Sequence, residues 1–190
     1  MSRAYRISVR ESIRRVIRGS DRVATRLELL EILPCEQMAA QLAEELRARG
    51  FVDEDGELVR RSDGVTVRID PTDGTIIVES EIERDVKIEA EKQGWADEDF
   101  GRPGRKAAEK RLREELLKEL EGKAERSTGE LDSEATDQLE AALRDLQGEL
   151  DSVVNRVTAE ALKAKAAQLG EIKQISEDAQ SGNMTIVLEV

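Results

Sequence analysis

Cys35, the acidic residues around Gly56 and the glycine pair Gly101 and Gly104 come nearest to residue types and spacings that do chemistry. Cys35 follows Pro34 at the start of a predicted helix, where the N-terminal dipole favours a thiolate. A nucleophile also needs a base, and the chain has no histidine and no lysine or carboxylate that stands out as a partner. Cys35 therefore reads as a small apolar residue. Asp53, Glu54, Asp55 and Glu57 offer oxygen ligands, but they lack the ordered acidic positions and terminal bidentate glutamate of a calcium loop, so they read as a solvated turn. Gly101 and Gly104 have no lysine-threonine sequel to cradle a phosphate. One cysteine without histidine cannot assemble a zinc set. The expectation is a non-enzymatic protein with no catalytic residue, no metal and no cofactor.

Charge bears on the choice of partner. Thirty basic residues stand against 42 acidic ones, for a net charge of -12, which argues for solubility and against generic polyanion binding. The N-terminus runs the other way: residues 1–26 hold eight arginines against Glu11 and Asp21, a local charge of +6. A run of this kind ordinarily faces water or lies against acidic parts of the same chain. The alternative is an anion or nucleic-acid site built on Arg14, Arg15, Arg18 and Arg22. Only Tyr5 interleaves these arginines, so a base-stacking platform is not expected. The single cysteine fits a reducing compartment. No apolar run approaches the roughly 20 residues of a membrane span, and a cytoplasmic protein is expected.

Tyr5, Ile7 and Val9 alternate with Arg6, Ser8 and Arg10, the pattern of a half-buried strand with an arginine face. Ile13, Val16 and Ile17 follow. The triplet Gly19, Ser20, Asp21 then signals a turn before Val23, Thr25, Leu27 and Leu29 alternate again. The competing reading is a short helix over residues 12–18. Pro34 can take the first helical position, opening an amphipathic helix on Met38, Leu42 and Leu46 that ends at Gly50. Phe51 is expected to fold back on its last turn. Three Asp-Gly pairs, Asp55-Gly56, Asp63-Gly64 and Asp73-Gly74, punctuate short apolar runs and predict an antiparallel meander. Beyond Gly74, one parity holds from Ile76 through Val78, Ser80, Ile82, Arg84, Val86 and Ile88. That fits one long strand, with helix from near Glu81 as the alternative.

Residues 95–105 read as a linker carrying two aromatic anchors, Trp95 and Phe100, in a chain that is only 2% aromatic; the pair is read first as the plug between body and arm, with an exposed partner hot spot as the alternative. Residues 106–121 form a strong helix, and Gly122 and Gly129 are expected to break it. From Leu131 to Leu169, Leu139, Leu143, Leu146, Leu150, Val153 and Val157 recur at alternating four- and three-residue spacing. That is a heptad seam, which demands a covering helix from this chain or from a second copy. Gly170 ends the helix, and Met184, Ile186 and Leu188 alternate in a last strand. The expected fold is α+β, with a small antiparallel sheet and one packed helix in a body of residues 1–94. An α-helical hairpin over 106–169 projects from it. A C-terminal β-hairpin over 170–190 returns so that the first and last strands lie in or near one sheet. The expected partner-binding residues are the six seam positions with Trp95 and Phe100, and a homodimer through the helical arm is one outcome.

The segment "ALKAKAAQLGEIKQISEDAQSGNMTIVLEV", residues 161–190, resembles the helix-then-hairpin ending of small accessory proteins encoded beside bacterial AAA+ ATPases. The segment "DGVTVRIDPTDGTIIVESEIE", residues 63–83, is similar to short strand repeats of the same groups. Such proteins occur in FtsH ternary conflict systems. The resemblance implies an adaptor or accessory partner of an AAA+ ATPase, without an activity of its own, and it transfers no functional residue.

Overall fold

The computed structural model describes residues 4–97, 101–178 and 183–189. Nine elements follow in chain order: β1 (Ala4–Arg26), α1 (Cys35–Ala48), β2 (Val52–Glu54), β3 (Glu57–Ser62), β4 (Val65–Ile69), β5 (Thr75–Asp97), α2 (Gly101–Leu169), β6 (Glu171–Asp178) and β7 (Asn183–Glu189). The fold is α+β, as the patterning predicts. A five-stranded antiparallel sheet has the order β1-β5-β4-β3-β2, and β6 and β7 form a two-stranded sheet of their own. The chain divides into two compact units, Met1–Asp21 with Glu81–Thr136 and Arg22–Ser80 with Asp137–Val190.

The meander lies in the second unit. At Asp55-Gly56 and again at Asp63-Gly64 both residues have positive φ, so each pair makes the two-residue turn whose twist matches the flanking strands. Register then places Leu58 opposite Ile69, Val67 opposite Val78 and Ile69 opposite Ile76. These side chains share one sheet face and are buried there with Met38, Leu42 and Leu46 of α1 and Leu139, Leu146, Leu150, Val153 and Val157 of α2. The end of α1 is locked as its sequence suggests. The Gly50 amide donates to the Arg47 carbonyl at 3.0 Å and the Phe51 amide to the Leu46 carbonyl at 3.1 Å, the two bonds of a Schellman cap. Phe51 is buried in the same core. Pro34 stands one position outside the helix, its carbonyl accepting from the Gln37 and Met38 amides.

One polar tie crosses this core. Arg60 of β3 forks onto Glu149 of α2 at 2.8 and 2.7 Å, and its guanidinium lies 4.4 Å from the centroid of the Phe51 ring. The hydrogen bond from Arg60 is the main reason that the Glu149 carboxyl is held below its ordinary range. Arg60 is raised for the reciprocal reason.

In the first unit β1 pairs with β5, and Val9, Ile13, Ile88 and Ala90 pack against Leu116 and Leu120 of α2. Here the structure corrects the expected turn at Gly19, because β1 runs unbroken from Ala4 to Arg26. A Cβ on Gly19 would lie 2.5 Å from the Leu131 carbonyl oxygen and 2.7 Å from the Asp132 amide nitrogen. The glycine therefore permits helix and strand backbones to touch. The short helix over residues 12–18 does not form either.

Three further expectations are revised. There is no helical hairpin: α2 is one helix of 69 residues that passes through Gly122, Gly129 and Gly148. Each glycine costs about 1 kcal/mol relative to alanine, but buried Leu116, Leu120, Ala124, Leu131, Ala135 and Leu139 continue at helical spacing across the expected break, and packing outweighs propensity. Residues 95–105 are not simply a linker, since β5 extends to Asp97 and α2 starts at Gly101. Pro103 is tolerated in that first turn because the amide it lacks would have no helical acceptor. The last strand does not join β1. Instead β7 pairs with β6, and a register break between Ile172 and Gln174 lets Ile172 and Ile175 face the same side, opposite Leu188 and Ile186. The long-strand reading beyond Gly74 holds, since β5 spans 23 residues.

Two stability experiments follow. Gly19→Ala should lower the unfolding free energy by about 3 kcal/mol through overpacking against α2. Gly148→Ala, with nothing within 4 Å of the added methyl, should raise it by about 0.5–1 kcal/mol; urea melts of both variants check the contrast. A carboxylate whose folded pKa is depressed contributes stability above its unfolded pKa, near 4.3, and loses it as pH falls through the lower folded value. Glu149→Gln should therefore cost about 1–2 kcal/mol at pH 7, and urea melts down to pH 3 should show the gap between the two proteins narrowing.

Candidate functional site

The arginines of β1 and the acids of β5 meet on the face of the two-stranded ribbon that points away from the α2 contacts. Alternation along β1 sends Ile7, Val9 and Ile13 inward, while Arg6, Ser8, Arg10, Arg14 and Arg18 are exposed. On β5, Ile88 and Ala90 point inward, and Glu83, Asp85, Glu89 and Glu91 lie on the exposed side. Ser8 Oγ donates to Glu91 Oε1 at 2.6 Å, Arg10 Nη2 to Glu89 Oε2 at 2.7 Å and Arg18 Nε to Glu83 Oε2 at 2.8 Å. Arg14 Nε reaches both Asp85 oxygens, at 3.0 and 2.9 Å, and Arg6 donates to Gln93. The partners step in opposite directions along the two strands, as antiparallel pairing requires.

This ladder bears on the anion-site alternative. The hydrogen bond from Arg14 holds the Asp85 carboxyl below its ordinary range, and the same bond raises Arg14. Arg14 and Arg18 thus carry carboxylate partners, Arg22 is engaged as well, and Arg15 has the opposite parity from Arg14. The arginines are brought together with acids and not with one another. The sequence holds this partner row: acidic residues fall between the inward positions of the long β5 run, and only the pairing of β5 with β1 shows whom they meet.

The six seam residues lie elsewhere. Leu139, Leu146, Leu150, Val153 and Val157 are buried, and Leu143 is partly buried against the same cluster. What covers them is this chain's own α1 and sheet. Trp95, near the end of β5, is 71% exposed and has the parity of Glu91 and Gln93. Phe100 lies outside the described residues. Cys35 is the exposed first residue of α1, its Sγ 3.5 Å from the Thr72 carbonyl oxygen. Among the described residues no cluster of three or more histidine, cysteine, aspartate or glutamate side chains could hold a metal ion. No described helix is long and apolar enough to cross a membrane.

Sequence reasoning did not single out the groove beside β1. It has a volume of about 460 Å³ and is lined by residues 8–11 of β1 with Lys106, Glu109, Lys110 and Arg113 of α2. Arg113 Nε donates to Glu11 Oε1 at 2.5 Å across it.

A family model described as FtsH ternary system domain X5 matches residues 1–190. The chain belongs to that family. It is thereby a component of an FtsH ternary system, consistent with the accessory role that the resemblance of its C-terminal segment implies. No curated protein and no solved structure matches it.

The ladder makes a spectroscopic prediction. Carbon-13 NMR titration should find the Asp85 carboxyl protonating below the usual aspartate range, and Arg14→Ala should move it back up toward that range.

Proposed function

We propose that this chain is a non-catalytic protein-binding component of an FtsH ternary system, acting as an adaptor for the AAA+ ATPase of that system. The observation that carries the reading is the match of residues 1–190 to a family named for such a system. A component of a system named for three parts is expected to work through contact with the others. Trp95 supports the reading. It is the largest apolar side chain in a chain with 2% aromatics and is 71% exposed, and exposed tryptophans are frequent anchors of protein interfaces.

The seam takes a different part from that of a dimer interface. Its side chains serve the internal core of one unit, which leaves partner binding to surface residues.

Co-expression of the tagged chain with the FtsH-type AAA+ ATPase of the same host tests the proposal. The ATPase should be retained in constant ratio, and Trp95→Ala should reduce its recovery at least tenfold while the circular dichroism spectrum stays unchanged. A folded chain that retains no ATPase at micromolar concentration overturns the reading.

A further inference from the structure

β1 is an edge strand, with β5 on one side and, among the described residues, no strand on the other. An edge of this length presents a row of unpaired amides and carbonyls, which proteins ordinarily blunt with proline, a bulge or a covering element. β1 contains no proline. Within the first unit Arg6, Arg10, Arg14 and Arg18 recur at every fourth residue on the exposed face, with Ser8, Ser12 and Val16 between them. Four strand residues rise about 13 Å, so the arginines form an even row alternating with smaller side chains.

Each guanidinium has five donors, and the ladder to β5 uses only part of them. The side chains of Arg10, Arg14 and Arg18 remain 69%, 76% and 67% exposed. On the other side of the edge, the groove along residues 8–11 presents Lys106, Lys110 and Arg113, countered by Glu11 and Glu109. A strand laid beside β1 would have one face toward the arginine row and the other toward these α2 cations.

We infer that the outer edge of β1 binds an extended acidic segment of a partner protein by β-strand addition. The main-chain ladder supplies attachment, and carboxylates on the incoming strand pair with the arginine row from the side opposite β5. β5 itself shows the chemistry, because its acids already satisfy the same arginines from the inner side. A nucleic acid fits less well, since a phosphate backbone has no amide and carbonyl row to pair with a strand edge, and only Tyr5 interleaves the arginines as a base-stacking surface. A second copy fits less well too: setting β1 beside β1 with the arginine faces on the same side brings like charges together across the strands. The inference rests on reading the chain as a protein-binding module, and it specifies the chemistry of one docking surface.

A fluorescein-labelled twelve-residue peptide alternating threonine and glutamate is the probe, compared with its lysine-for-glutamate counterpart and with a twelve-nucleotide oligo-dT strand. The glutamate peptide should bind the full chain, weaken as salt is raised and slow the hydrogen exchange of β1 amides. The lysine peptide should not bind. Affinity should fall at least tenfold in Arg10→Gln/Arg14→Gln and in Lys106→Glu/Lys110→Glu, the second pair lying on the helix surface and leaving the strand ladder intact.

Equal binding of both peptides, equal binding by the variants, or no change in β1 exchange overturns the proposal. So does tighter binding of oligo-dT, which would make the surface a nucleic-acid site, or self-association by light scattering that Arg10→Gln/Arg14→Gln changes. Peptide binding without recovery of the ATPase would keep this surface and remove the ATPase as partner. Recovery of the ATPase without peptide binding would do the reverse.

Discussion

Burial of one continuous apolar stripe along α2 is the constraint on which the remaining structure depends. Leu116 and Leu120 close the small core with Ile88 and Ala90, and Leu139, Leu146, Leu150, Val153 and Val157 close the larger one with α1 and the meander. Aromatics are scarce, so these aliphatic side chains supply most of the apolar area removed from water. The stripe also explains how a helix with three internal glycines persists. Residues at helical spacing keep gaining contacts through the weak points, and tertiary packing supplies what local propensity lacks.

A second, electrostatic regularity organises the exposed side of the β1–β5 ribbon. Residues 1–26 carry +6 in an acidic protein, and the fold distributes that charge along a row where β5 offers carboxylates. Pairing at the surface contributes little to stability. Its effect is on strand pairing, because each row of charges on β1 meets the opposite sign on β5 and a shifted register would set like charges side by side. A protein-binding accessory role in an FtsH ternary system is consistent with such a surface.

Local grammar was legible where a short stretch determines its own backbone. Asp55-Gly56 and Asp63-Gly64 take the positive φ values of tight hairpins, and Gly50 with Phe51 closes α1 by hydrogen bonds to its last turn. The parity of Ile76 through Ile88 fitted a long strand but left helix from near Glu81 open, and the structure decides for the strand. The misreadings share a cause. Gly19 has the composition of a turn but serves a close approach by Leu131, and Gly122 and Gly129 have the composition of a break but sit within a buried stripe. A glycine's role is ambiguous until its spatial neighbours are known. The candidate site was half legible: the arginines and Trp95 stood out, whereas the acid row opposite them and the groove beside Lys106 and Lys110 did not.

The sequence by itself determined the α+β class, the meander turns, the first helix with its cap and the apolar periodicity of residues 131–169, because each depends on contacts within a few residues. Only the tertiary structure decided what covers that periodicity. A heptad stripe reports that a face must leave water without naming the surface that receives it, and here α1 and the sheet receive it in place of a second long helix. The pairing of β1 with β5, and of β7 with β6, was decided in the same way. Strand partners are chosen by register, charge and chain connection across long separations, and no single stretch of sequence carries that information.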